Sequence, residues 1–111
     1  MEMNRAIERL SALAHPARLA AFRLLIKAGP EGLPAGEIAR LTGAPPSTLS
    51  SQLAILERSG LTRSRRDGRS ILHAAAYAAM GDLIAYLAQD CCEGAPEACV
   101  PTTAFTCKVP T

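Results

Sequence analysis

The feature of this sequence that most limits its fold is the dipeptide Asp67-Gly68, which lies between two runs with extended character, residues 61–66 and 69–75. Asp-Gly in such a position is a strong signal for a two-residue β-hairpin turn, because both turn positions favour positive φ. The segments before residue 60 instead carry apolar residues at helical spacing. The sequence therefore predicts a mainly helical fold with one late β-hairpin.

Five helices are predicted around this hairpin, because apolar residues recur every three or four positions and proline or glycine marks the segment ends. Pro16 ends the first helix and suits the first turn of the second. Pro46 likewise suits the start of the fourth helix, whose inner face carries Leu49, Leu53 and Leu56. The predicted helices are residues 3–14, 16–28, 34–41, 46–59 and 76–89.

The third and fourth predicted helices, joined by a short turn containing Gly43, have the helix-turn-helix pattern. Short hydroxyl and amide side chains on the outer face of the fourth helix are able to reach base edges and phosphates. Serine and threonine at a helix start more often serve as caps, so this signal has little weight alone. The predicted DNA-reading residues are Ser47, Thr48, Ser50, Ser51 and Gln52.

The hairpin carries a local basic patch. Residues 61–72 contain four arginines against one aspartate, a net charge of +3, although the whole chain carries only +2. An arginine run alone is usually a solvated face, but here it follows directly on a helix-turn-helix pair. We expect these side chains to lie along phosphates or in the minor groove, so that salt weakens binding. The residues are Arg63, Arg65, Arg66 and Arg69.

The C-terminal part differs in composition from the rest of the chain. Residues 76–111 carry a net charge of −3, and all four cysteines of the chain lie between residues 91 and 107. No apolar run is long enough to span a membrane and no signal peptide is evident, so a cytoplasmic protein with reduced thiols is expected. The sequence thus divides into a DNA-binding and dimerisation domain, 1–90, and a sensor tail, 91–111.

Three segments carry a resemblance to the ArsR/SmtB family of bacterial metal- and metalloid-responsive repressors: LSALAHPARLAAFRLL (10–25), EIARLTGAPPSTLSSQLAILERSGL (37–61) and SRRDGRSILHA (64–74). The resemblance covers about residues 4–90. It implies a winged helix-turn-helix homodimer, paired through its first and last helices and bound to an inverted-repeat operator in double-stranded DNA. The implied dimer surface comprises Ile7, Leu10, Met80, Leu83, Ile84 and Leu87.

The resemblance also implies where an inducer would bind. The third helix has no cysteine and residues 76–90 have no histidine, so two of the sensor sites known in the family are missing. Cys91, Cys92 and Cys99 match a third arrangement, a cysteine pair just after the last helix with another cysteine further on. Soft thiolates select soft ions, and three of them satisfy trivalent arsenic or antimony. The expected inducer is therefore As(III) or Sb(III).

Other interpretations of the thiols stay open. Adjacent Cα atoms are about 3.8 Å apart, which disfavours a disulfide between Cys91 and Cys92. A tetrahedral zinc or cadmium site would recruit Cys107, which is otherwise a spare thiol or a ligand for the other subunit. Oxidation of these thiols would instead make a redox-sensing repressor. A thiol enzyme is disfavoured, because the sequence has no C-x-x-C pair and no nearby activating histidine or lysine. We expect no enzymatic activity.

The two histidines are alternative zinc ligands with competing structural explanations. His15 precedes Pro16 and is interpreted as a helix boundary. His73 falls in the second strand of the hairpin and is interpreted as a strand residue. Neither is assigned to an ion site.

Overall fold

A computed structural model describes residues 1–89, and residues 90–111 lie outside this description. The described part is mainly helical with a small sheet, so the predicted fold class is confirmed. The division at residue 90 stays a prediction. The elements are α1 Met3–Leu13, α2 Pro16–Ala28, β1 Leu33–Pro34, α3 Ala35–Thr42, α4 Pro46–Arg58, β2 Thr62–Asp67, β3 Ser70–Ala75 and α5 Tyr77–Ala88.

Side-chain and backbone chemistry explains the helix boundaries. His15 is the N-cap of α2, and its Nδ1 accepts a hydrogen bond from the backbone N–H of Ala17 at 3.1 Å. Pro16 occupies the first helical turn, where its missing N–H costs nothing. Gly43 ends α3 in the left-handed conformation, with φ of 77°. The predicted boundaries at both positions are confirmed.

The sheet has the strand order β1-β3-β2, and both pairings are antiparallel. In the hairpin, Asp67 pairs with Ser70, so Gly68 and Arg69 form the turn rather than the predicted Asp67 and Gly68. Two-residue hairpin turns of both favoured types need positive φ at the first turn position. Gly68 supplies it with φ of 63°, which explains the shift of one residue.

Strand β1 was not predicted, because it contains only two residues and one is a proline. It pairs Leu33 with His73 and Pro34 with Leu72 at the edge of the sheet, where proline is tolerated. The preceding Gly32 has φ of 81°, and a Cβ there would lie 2.3 Å from the carbonyl oxygen of His73. Glycine is therefore required for the chain to approach β3 this closely.

The hydrophobic core lies beneath α4. Its largest members come from α2, α3, α4 and the residue before β2, and α4 contributes every third or fourth residue of its inner face. Because this face is anchored, the opposite face of α4 remains at the surface. The main buried side chains are Phe22, Leu25, Ile38, Leu49, Leu53, Leu56 and Leu61.

Candidate nucleic-acid interface

The outer face of α4 exposes the predicted hydroxyl residues. Ser47, Thr48, Ser50 and Ser51 are exposed, whereas Leu49 between them is only 1% exposed. The N-cap of α4 is Pro45, and no side chain of the described part of the chain caps the helix. The hydroxyls of Ser47 and Thr48 are therefore not used as N-caps, although the composition of this segment favoured that role. Their assignment to DNA stays a prediction.

Gln52 differs from the other predicted reading residues, because it is half-buried and engaged within the protein. Nη1 of Arg18 donates to Oε1 of Gln52 at 2.7 Å, while Nε of Arg18 donates to the carbonyl oxygen of Ala12 at 2.6 Å. A guanidinium only donates, so this contact fixes which end of the amide faces it. The Nε2 donors then remain for a ligand, which favours acceptor groups such as phosphate or guanine O6.

The four predicted arginines are all exposed, but they do not share one face of the hairpin. Arg63 and Arg65 lie on one face of β2 and Arg66 lies on the other, because side chains alternate along a strand. Arg69 lies in the turn. Nη2 of Arg65 donates to the carbonyl oxygen of Glu31 at 3.4 Å. The positive charge is therefore spread over both faces and the tip.

A cleft of about 210 Å³ lies between α4 and the hairpin. On the α4 side it is lined by Ser50 and Glu57, and on the hairpin side by Ser64, Ile71 and His73. Arg66 is paired with Ile71, so it belongs to the hairpin face that adjoins α4. The predicted reading helix and the basic hairpin thus form one continuous surface.

His73 is an ionisable group on the hairpin side of this cleft, and it lies in β3 as predicted. It is half-buried, and its Nδ1 has no hydrogen-bond partner among residues 1–89. Burial lowers the pKa of His73, and the Glu57 carboxylate opposes this shift in part. The imidazole is consequently held neutral at pH 7.

This depressed pKa predicts a loss of stability in mild acid. The unfolded chain binds a proton at His73 near pH 6.5, whereas the folded chain binds it only at lower pH. Stability is therefore complete above the unfolded pKa and declines as the pH falls below it. The urea midpoint should decrease between pH 7.5 and 5.5, and His73→Gln should reduce that decrease. Identical pH dependence in the two proteins would contradict the prediction.

The predicted dimer residues differ in how much surface they offer. Ile7, Leu10 and Leu87 are 55%, 41% and 58% exposed, which is high for large apolar side chains. Met80 and Ile84 are half-buried. Leu83 is only 4% exposed within a single chain. It faces the interior of the protomer, so it has little surface left for a partner.

The predicted ion ligands Cys91, Cys92, Cys99 and Cys107 lie outside the described residues. Helix α5 ends at Ala88, three positions before Cys91 in the sequence. Within residues 1–89, no group of three His, Cys, Asp or Glu side chains is placed to hold a metal ion. In the same part of the chain, no helix has the length and apolar character needed to cross a membrane.

Comparison with known proteins identifies the family. A helix-turn-helix domain family matches residues 13–65. The HTH-type transcriptional regulator YgaV of Escherichia coli K12 is 38% identical over 78 residues, which cover 70% of this chain and 77% of YgaV. The homodimeric winged helix-turn-helix domain Mb0332 of Mycobacterium bovis, described as a possible ArsR-family regulator, has 27% identity and a TM-score of 0.64 over 79% of this chain and 82% of that one. The chain belongs to the ArsR family of helix-turn-helix transcriptional regulators.

A further solved structure, of a possible transcriptional regulator for arsenical resistance, has 26% identity and a TM-score of 0.63. The similarity covers 72% of this chain and 80% of that chain. In this ArsR-family protein, α3 and α4 form the helix-turn-helix and the β2–β3 hairpin forms the wing.

Two arginines that the sequence did not single out contact α4 of this ArsR-family protein. Arg18 bonds to Gln52, 34 positions away, and Arg9 bonds to the carbonyl oxygen of Ser59, 50 positions away. Neither lies in the helix-turn-helix pair or the wing. No local spacing signals such contacts, because they depend on how α1 and α2 pack against α4.

Proposed function

We propose that this protein is a cytoplasmic repressor that binds operator DNA as a homodimer and is released by trivalent arsenic. The ion would bind Cys91, Cys92 and Cys99, and antimonite would act in the same way. The observation that carries the proposed DNA binding is the continuous surface of exposed hydroxyls on α4 and arginines on the wing. The proposed release by an inducer rests on the cysteine pattern in the sequence directly after α5.

The proposed DNA binding follows from the shape and charge of the surface formed by α4 and the wing. A helix with short polar side chains fits the major groove, and its anchored inner face keeps the polar face turned outward. The wing arginines, exposed on both faces of the hairpin, are suited to the adjacent phosphates and minor groove. This arrangement supports binding to duplex DNA with a strong salt dependence.

The dimer is supported by the apolar side chains that α1 and α5 leave at the surface. Ile7 and Leu10 on α1 and Leu87 on α5 gain most by being covered, at about 25 cal/mol for each Å² of apolar surface. The related Mb0332 domain is homodimeric. A two-fold dimer presents two α4 helices to successive major grooves, so the operator is proposed to be an inverted repeat.

The proposed release by an inducer is supported by thiolate chemistry and by one structural relative. Three thiolates near one another in sequence suit a soft three-coordinate ion. The structural relative described as a possible transcriptional regulator for arsenical resistance is 26% identical to this chain. Because Cys91 follows α5 by three positions, an ion bound there acts next to the proposed dimer helix. A tenfold loss of operator affinity requires about 1.4 kcal/mol of coupling free energy.

The test begins by selecting duplexes from a randomised DNA library with the reduced protein. Fluorescence anisotropy then measures the selected operator while arsenite, antimonite, zinc and cadmium are titrated in parallel. Release by arsenite or antimonite alone is the expected result. Release by zinc or cadmium alone would replace the proposal with a four-ligand site that includes Cys107. Release only by peroxide, reversed by a reductant, would replace it with a redox switch.

Serine substitutions assign the ligands. Cys91→Ser is expected to leave operator affinity unchanged and to abolish release by arsenite, since two remaining thiolates bind the ion less tightly than three. Cys92→Ser and Cys99→Ser should behave alike. Cys107→Ser is the matched control and should retain the wild-type response. Normal induction in the Cys91 variant would rule out the proposed site.

A further inference from the structure

Arg9 occupies a junction of three helices. It lies on α1, where its Nε donates to the carbonyl oxygen of Ser59 at 3.1 Å. Ser59 is the C-cap of α4. Nη1 of the same guanidinium donates to the carbonyl oxygen of Ala79, in the first turn of α5, at 3.4 Å. One side chain thus connects α1, the end of α4 and the start of α5.

The contact at Ser59 satisfies one carbonyl group at the end of α4. The last carbonyl groups of a helix lack intrahelical partners. The backbone N–H groups of Gly60 and Leu61 donate to the carbonyl oxygens of Glu57 and Leu56, respectively. The carbonyl oxygen of Ser59 instead accepts from Arg9, and the positive charge there complements the negative end of the helix dipole. The bond is partly shielded from water, which strengthens it.

The backbone at Gly60 leaves space for this guanidinium. Gly60 has φ of 87°, and a Cβ there would lie 3.0 Å from Nη2 of Arg9. Any larger residue would be strained by its positive φ and would also press against the arginine. The bare glycine therefore lets the side chain of Arg9 lie directly against the chain where α4 ends.

The position of Arg9 matters because it holds the C-terminal end of α4, whereas Leu49, Leu53 and Leu56 pack along the inner face of the helix. Its reading residues lie in the first half of a 13-residue helix, which is about 20 Å long. A tilt of about 6° at the end held by Arg9 moves the reading end by about 2 Å. In a two-fold dimer the separation of the reading ends then changes by about 4 Å, roughly one base-pair step of 3.4 Å.

We infer that Arg9 is a positioning residue that fixes the angle of α4 relative to α1 and α5, and thereby sets the half-site spacing that the dimer accepts. This inference rests on the proposed function, because it requires a dimer on a two-half-site operator. Arg9 makes no base contact in this scheme. Its effect is on the geometry of the two reading helices.

The test compares operators that differ only in spacing. The selected operator is remade with one base pair removed from or added to its centre, and dissociation constants are measured for wild type, Arg9→Met and Arg5→Met. Arg5→Met is the matched control, since Arg5 lies on the same helix but is exposed, and within residues 1–89 its side chain bonds only to Glu8. Light scattering and thermal melting verify that each variant is a folded dimer.

Wild type is expected to bind the operators with altered spacing about 30-fold more weakly than the selected operator. This ratio of dissociation constants equals the effect of one or two mismatched base pairs. In Arg9→Met the same ratio is expected to fall to about 3-fold, because the tilt of α4 is then restrained by its core packing without the Arg9 contact. Arg5→Met should keep the wild-type ratio. A purely stabilising role of Arg9 would weaken all operators equally and leave the ratio unchanged, and that result would overturn the inference.

Two further results separate the possible failures. If Arg9→Met does not fold as a dimer, the ratio is measured in Arg9→Lys, which keeps the charge and one of the two contacts. An intermediate ratio is then expected, and a wild-type ratio would overturn the inference. If wild type itself selects no two-half-site operator, the proposed function fails, and the inference falls with it.

Discussion

Replacing Arg63, Arg65, Arg66 and Arg69 together by glutamine is expected to weaken operator binding about a thousandfold at 0.15 M salt. The reason is counterion release: four phosphate contacts contribute about 3.6 to the slope of log K against log salt concentration, and the loss at 0.15 M follows from that slope. All four side chains are exposed, so the fold should be unaffected. Anisotropy titrations between 0.05 and about 0.3 M salt measure the slope.

Single substitutions distinguish a specific role of the wing from a general effect of charge. Arg66→Gln should lower the salt slope by about 0.9, since Arg66 lies on the hairpin face that adjoins α4. Arg5→Gln removes the same charge from the exposed start of α1 and should leave the slope unchanged. Equal slopes in these two variants would show that the wing does not contact DNA. Arg69, in the turn, should resemble Arg66.

Leu56→Ala is expected to lower the free energy of unfolding by about 2–5 kcal/mol. Leu56 is completely buried on the inner face of α4, so truncation removes apolar contacts and leaves a cavity beneath the reading helix. Small domains have only about 5–15 kcal/mol of stability in total, so the loss is large. Urea unfolding followed by circular dichroism measures it, at one fixed protein concentration because the dimer couples stability to concentration.

Leu41→Ala is the control for this substitution. Leu41 lies on the neighbouring helix α3 but is 48% exposed, so the same change in chemistry should cost well under half as much. A comparable loss in the two variants would show that the core does not lie beneath α4 as the structure places it. A small loss in both would have the same meaning.

The helices were predictable because their signals are local. Pro16 and Gly43 mark boundaries through φ preferences that act within one or two residues, and both predictions are confirmed. The hairpin was predictable for the same reason, but its register was not. Asp-Gly indicates a turn, whereas the pairing of Asp67 with Ser70 shows that Gly68 holds the first turn position. A shift of one residue moved Arg69 from a strand into the turn.

The features that the sequence did not predict depend on distant parts of the chain. Strand β1 exists because β3 offers an edge, and nothing within Leu33-Pro34 indicates a strand. Gln52 was expected to point outward, but Arg18 holds its carbonyl oxygen. Leu83 shares a helical stripe with Leu87, yet one is buried and the other exposed. Periodicity identifies an apolar face, but only packing shows which part of it the protomer itself covers.

The sheet order has a consequence for how the wing can vary in length. Strand β1 pairs with β3 at Leu72 and His73, so the hairpin is three-stranded in its middle and two-stranded towards Gly68. A two-stranded ribbon is marginally stable alone, so backbone amides should exchange with deuterium quickly at the tip and slowly in the three-stranded part. Residues inserted into the turn would lengthen the wing without disturbing β1 or the core. Evolution can therefore alter how far the wing reaches along a duplex independently of the helices that read it.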